Sequence, residues 1–163
     1  MRLETNINEI EAIKQKEIME RLKVQIADKS KELGRPLTYC SVCFGCQMNA
    51  KDSEKLEGIL ETIGYVRSES EDADFLIMNT CTVRENANLR VYGRLGQLKK
   101  YKKKNPDMII ALCGCMMQES LVVEKIKQSY RHVDIIFGTH NVFKLAELIE
   151  NKLNSKGMII QIH

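Results

Sequence analysis

The sequence predicts an α/β fold, a doubly wound and mostly parallel sheet of about five strands with helices on both faces. Two observations point there. Short apolar runs alternate with amphipathic stretches from Leu37 onward, as in repeated β-α units. That β-α alternation argues for a parallel sheet covered by helices on both faces. Apolar residues make up 44% and charged residues 29% of 163 residues, enough for one globular core and unlike a disordered chain.

Residues 1–36 come first and differ from the rest. Glu and Lys are dense, and Ile7, Ile10, Ile13, Met19, Leu22 and Ile26 recur every third or fourth residue or so, which predicts one long helix ended by Gly34 and Pro36. It reads as a helical extension that carries no chemistry. Residues 37–154 then read as the main domain. Leu37–Cys43 is the first buried strand. Asn49 to Ile63 is a helix with Leu56, Ile59, Leu60 and Ile63 on one face and Gly64 as its stop. Tyr65–Arg67 is a short strand and Ala73–Thr80 a full one. Thr82 to Glu85 forms a capping box opening a helix that turns Ala87, Val91, Leu95 and Leu98 inward until Pro106. Met108–Cys113 is a strand, Glu119–Gln128 a helix, Val133–Gly138 a strand and Val142–Leu153 the last helix. Met158–Ile162 begins another apolar strand, so residues 155–163 are expected to start a linker or a next domain.

No apolar run approaches the roughly 20 residues that span a bilayer, and MRLETNINEIEAIKQKE contains no secretory h-region. A cytoplasmic protein without membrane attachment is expected. In that compartment six cysteines argue for metal binding, thiol chemistry or core packing rather than disulfides. No dinucleotide fingerprint, Walker A loop or nucleophile elbow is present. His132, His140 and His163 lack metal-ligand spacing.

Three cysteines share one structural address. Cys46, Cys81 and Cys115 each follow a predicted strand and precede a predicted helix. In a parallel sheet such junctions fall on one edge, where open α/β folds bind ligands. Helix N-termini there favour thiolate, the metal-binding form. Three thiolates can hold zinc with water in the fourth position, or three irons of a 4Fe–4S cluster with one iron left open. The all-sulfur set favours iron–sulfur, and capping or packing is the plain alternative. Cys40 and Cys43 also form a C-x-x-C-x-x-C run with Cys46, but residues three apart on a strand point to opposite faces. Cys113 is expected to pack in the core. Between Asn86 and Pro106 there is no acid, while Arg90, Arg94, Lys99, Lys100, Lys102, Lys103 and Lys104 are basic. Such a stretch is either a phosphate-attracting patch or a solvated helix end.

The motifs FGCQMNAKDSE (Phe44–Glu54), NTCTVRENA (Asn79–Ala87) and CGCMMQE (Cys113–Glu119) resemble the three signatures of the N-terminal domain of the radical S-adenosylmethionine methylthiotransferase family. The resemblance runs from about Leu37 to Leu153, and the residues after Cys46 and Cys81 look most like the tRNA branch. It implies that Cys46, Cys81 and Cys115 bind a 4Fe–4S cluster that presents sulfur. It implies a second 4Fe–4S cluster and S-adenosylmethionine in a separate radical domain. The substrate implied is isopentenyl-adenosine beside the anticodon, converted to its 2-methylthio form. Expected partners are the tRNA anticodon stem-loop, with the basic stretch as a contact, sulfur and methyl donors, and a reducing protein such as flavodoxin or ferredoxin. C-x-x-x-C-x-x-C is absent, so this chain alone is expected to be inactive. Cys40 and Cys43 stand where the family usually has ordinary strand residues. The competing classes are a non-catalytic iron–sulfur redox or scaffold module and a zinc-stabilised binding domain.

Overall fold

The computed structural model describes residues 2–45, 50–81 and 85–162. Helix α1 (Arg2–Leu33) leads into β1 (Thr38–Gly45), α2 (Ala50–Ile63), β2 (Val66–Arg67), β3 (Phe75–Cys81), α3 (Glu85–Lys104) and β4 (Ile109–Gly114). A 3-10 turn (Cys115–Gln118) precedes α4 (Ser120–Ser129) and β5 (Ile135–Phe137). A second 3-10 segment (Thr139–Lys144) precedes α5 (Leu145–Leu153) and β6 (Ile159–Gln161). The predicted caps at Asn49 and at Thr82 lie outside the described residues.

The six strands among the described residues form one parallel sheet in the order β2-β1-β3-β4-β5-β6. The sixth strand is the apolar run assigned from sequence to the start of a following segment. Here Ile159, Ile160 and Gln161 pair with Ile135, Ile136 and Phe137.

Strand alternation divides the core between the two faces. Tyr39, Phe75, Ile77, Ile109, Ala111, Ile135 and Phe137 pack with α1, α2 and α5. Leu76, Met78, Ile110, Leu112 and Ile136 point the other way, against α3 and α4. The helices supply the stripes their periodicity predicts: Leu56, Leu60 and Ile63 from α2, and Val91, Leu95 and Leu98 from α3, are all buried.

The first helix is part of this core. Ile18, Leu22 and Ile26 bury their side chains in the α2/α5 face. Arg21 grips Glu150 with two hydrogen bonds of 3.0 and 2.8 Å, and Lys14 reaches Glu147 at 2.9 Å. Ile10 and Ile13, expected on the apolar stripe, are exposed instead. No described helix is long and apolar enough to cross a membrane.

At the N-terminal edge of the sheet Asp74 is the tie. Its carboxylate accepts two hydrogen bonds from Arg35 at 2.8 and 2.9 Å, one from the Thr38 N–H at 2.9 Å and one from Asn105 at 3.1 Å. Burial alone would push its pKa up, but these donors outweigh it and hold the carboxyl below its usual range.

Candidate metal centre

The strand order places β2 on one side of β1 and β3 on the other, so the winding reverses between β1 and β3. Outside the carboxyl ends of the strands flanking such a reversal lies the usual ligand crevice of an open α/β sheet. Both strands end there with a cysteine or next to one. Gly45 is the register partner of Cys81, and Thr80 is that of Gly114. Cys81 is therefore the last residue of β3, Cys115 directly follows the last residue of β4, and Cys46 comes next in sequence after the last residue of β1. Adjacent strands stand about 4.8 Å apart. Cys46 itself lies outside the described residues, and of Cys81 only the backbone is described.

The exit from β4 depends on Gly114. Its φ is 112° and its ψ −176°. A Cβ built there would stand 1.7 Å from the Thr80 carbonyl oxygen, far inside contact distance. Only glycine lets β4 run this close to β3 and turn sharply into the 3-10 segment. Cys115, the first residue after that turn, is exposed, while Met116 and Met117 behind it are fully buried and pin the segment to the α3/α4 face. Thr80, also fully buried, donates its hydroxyl to the Cys113 carbonyl at 2.8 Å. Asn79 donates its side-chain amide to the Ser53 hydroxyl at 3.0 Å, which fixes the start of α2 over the end of β3. These second-layer contacts were not read from the sequence. The Gly between Cys113 and Cys115 is the one local signal that could have shown part of them.

The remaining cysteines divide as strand alternation requires. Cys40 is buried on the α3/α4 face and Cys113 on the opposite face, whereas Cys43 is exposed. Cys43, Asn79 and Cys113 are register partners across β1, β3 and β4. Burial raises the Cys40 pKa, with Glu71 and Glu69 adding to it, and burial raises that of Cys113 still further, helped by Asp52 and Cys43. Among the described residues no three His, Cys, Asp or Glu side chains converge closely enough to hold a metal ion.

The basic stretch is not uniform. Arg94 is ion-paired with Glu71. Lys102 binds Asp134 at 2.6 Å and also the Met108 carbonyl. Arg90, Lys99, Lys100, Lys103 and Lys104 are exposed.

A parallel sheet wound in both directions from β1 and β3, with Cys81 ending β3 and Cys115 directly following β4, makes this an open, doubly wound α/β domain. A family described as "Uncharacterized protein family UPF0004" matches residues 38–138, and the chain belongs to it. It is similar to proteins named tRNA-2-methylthio-N(6)-dimethylallyladenosine synthase. One from Lachnoclostridium phytofermentans is 70% identical over 140 residues, 86% of this chain and 31% of the relative. One from Alkaliphilus oremlandii is 49% identical over 150 residues, 91% of this chain and 31% of the relative. One from Clostridioides difficile is 57% identical over 120 residues, 73% of this chain and 25% of the relative. The chain thus spans less than a third of the length of these relatives.

Proposed function

We propose that Cys46, Cys81 and Cys115 hold a 4Fe–4S cluster through three irons, and that this domain is the sulfur-donating part of a cytoplasmic tRNA methylthiotransferase. The observation that carries the reading is the alignment of three neighbouring strand ends, β1, β3 and β4, each of which ends at one of these cysteines or is followed by one in sequence, with the winding reversing between the first two. The donor set fits the group: three cysteine sulfurs, one in each motif and with no imidazole in any of them, favour iron–sulfur over harder-ligand metals. A cluster held by three cysteines supplies one iron with an open position, where an exogenous sulfur can bind.

The chain's own residues prepare that edge. Gly114 allows Cys115 to leave β4 without a clash, and the buried Met116 and Met117 keep the exit fixed. Thr80 and Asn79 lock the adjoining strand ends. Cys40 and Cys113 are buried in the cores on opposite faces of the sheet. The relatives' name points to a tRNA carrying N(6)-dimethylallyladenosine as the substrate. The radical step would need S-adenosylmethionine, a second 4Fe–4S cluster and a reducing protein, since no C-x-x-x-C-x-x-C occurs in this sequence.

Anaerobic reconstitution with ferrous iron and sulfide tests the reading. The expected product binds about four irons per domain cluster and shows iron–sulfur absorption and EPR spectra. Stoichiometric zinc uptake in preference to iron, with no such spectra, would instead make this a zinc-stabilised binding domain.

A further inference from the structure

The last two turns of α3 and the turn between α4 and β5 flank an open groove of about 400 Å³. Lys99, Lys102 and Lys103 form one wall, and Ser129, Arg131 and His132 face them, with Gln128 at the side. Lys99 and Lys103 are one helical turn apart and so project from the same face of α3. Lys102 is neutralised by Asp134, which also pairs with Lys152 at 3.4 Å. Among the described residues no carboxylate lines the groove, and Lys99, Lys103 and Arg131 take part in no ion pair. Three uncompensated cations around one concavity repel one another unless an anion enters. A serine hydroxyl and a glutamine amide beside them add the donors a tetrahedral oxyanion accepts.

His132 marks the floor. Its Nε2 lies 2.6 Å from the Leu95 carbonyl, which fixes the ring, and its buried Nδ1 has no partner. Burial lowers its pKa, and Lys99 and Lys102 lower it further, against opposing effects from the Leu95 hydrogen bond and Asp134. The ring lines the groove, so its NMR signals report on an arriving charge.

We propose that this groove is a phosphate-binding subsite for the RNA backbone. The proposal rests on the reading that the protein handles a tRNA, and it places one contact far from the chemistry. The 20 residues of α3 run about 30 Å at 1.5 Å per residue, from the edge where Cys81 ends β3 to the opposite end. The groove would hold a phosphate of the RNA stem rather than the reacting base. Exposed Lys100 and Lys104 adjoin it on the same helix, which suits a polyanion better than a lone phosphate.

The test compares two charge-matched triple variants of the full-length protein. One removes the groove cations (Lys99→Gln, Lys103→Gln, Arg131→Gln). The other removes three exposed lysines elsewhere (Lys16→Gln, Lys31→Gln, Lys156→Gln). Fluorescence anisotropy with a labelled RNA stem-loop, over a salt series, is expected to show the groove variant binding about tenfold more weakly at ~0.1 M salt. Its log–log salt slope should be shallower by roughly one. The control should stay within about twofold, and RNA should shift the His132 ring signals in NMR. Equal losses in both triples, or none in the groove variant, would overturn the proposal. So would inorganic phosphate shifting His132 while RNA affinity is indifferent to the groove charges, since the groove would then serve a free phosphorylated ligand. Anisotropy needs no cluster, and iron content is expected to be unchanged in the groove variant. A failure here is therefore separable from a failure of the cluster reading.

Discussion

At Gly114 one hydrogen atom in place of a methyl group decides whether β4 can reach its terminus. Both the positive φ and the Thr80 carbonyl, 1.7 Å from a built Cβ, act against any side chain. Gly114→Ala is expected to cost about 3 kcal/mol or more in urea unfolding, well above the usual cost of a surface change. It should also reduce iron loading, because the turn into Cys115 would have to move. Wild-type stability and loading in this variant would show that the exit is not constrained as described. The constraint was hidden in the sequence because it arises from a neighbouring strand 34 residues away, between Thr80 and Gly114. The alternation that separates Cys40 from Cys43, by contrast, is local. A strand period of two was enough to place them on opposite faces before any packing was known.

Among the elements, α1 shows what periodicity can and cannot fix. Its charge density and spacing gave its existence and its end near Gly34, but the phase of the apolar stripe was ambiguous. Apolar residues at 10, 13, 19, 22 and 26 fit one line, and 18, 22 and 26 fit another. The second line wins because Ile18, Leu22 and Ile26 meet α2 and α5, with Arg21 and Lys14 placed to pair with Glu150 and Glu147. Packing partners 130 or so residues away in the chain set that choice, as |i−j| of 129 and 133 shows. The helix is consequently integral to the core. Leu22→Ala is expected to destabilise the protein by about 3 kcal/mol, whereas Ile13→Ser should change stability by roughly 0.5 kcal/mol or less. A small effect at Leu22, read from chemical denaturation, would mean that α1 is a loosely attached arm. The strands were more legible than this helix, since each apolar run bounded by glycine, proline or charge became a strand of the sheet. What the runs could not give was their lateral order, which depends on crossovers rather than on any local pattern.

For the whole molecule the order β2-β1-β3-β4-β5-β6 turns three dispersed motifs into neighbours. Cys46 and Cys81 are 35 positions apart and Cys81 and Cys115 are 34 apart by subtraction of their numbers, yet the strands they terminate lie side by side. The shared strand-to-helix address was readable from sequence, and so was the edge on which it falls. The reversal of winding between β1 and β3 was not, and it is outside the carboxyl ends of strands flanking such a reversal that open α/β sheets usually bind ligands. The same topology sends the far end of α3, with its cationic groove, to the opposite edge. The central claim is that three cysteines, and not six, hold the cluster. Iron and sulfide content after anaerobic reconstitution of the six single Cys→Ala variants tests it most directly. Cys46→Ala, Cys81→Ala and Cys115→Ala are each expected to lose stable cluster, while Cys40→Ala, Cys43→Ala and Cys113→Ala keep wild-type loading. Full loading of Cys81→Ala, or loss of the cluster from Cys43→Ala, would contradict the assignment.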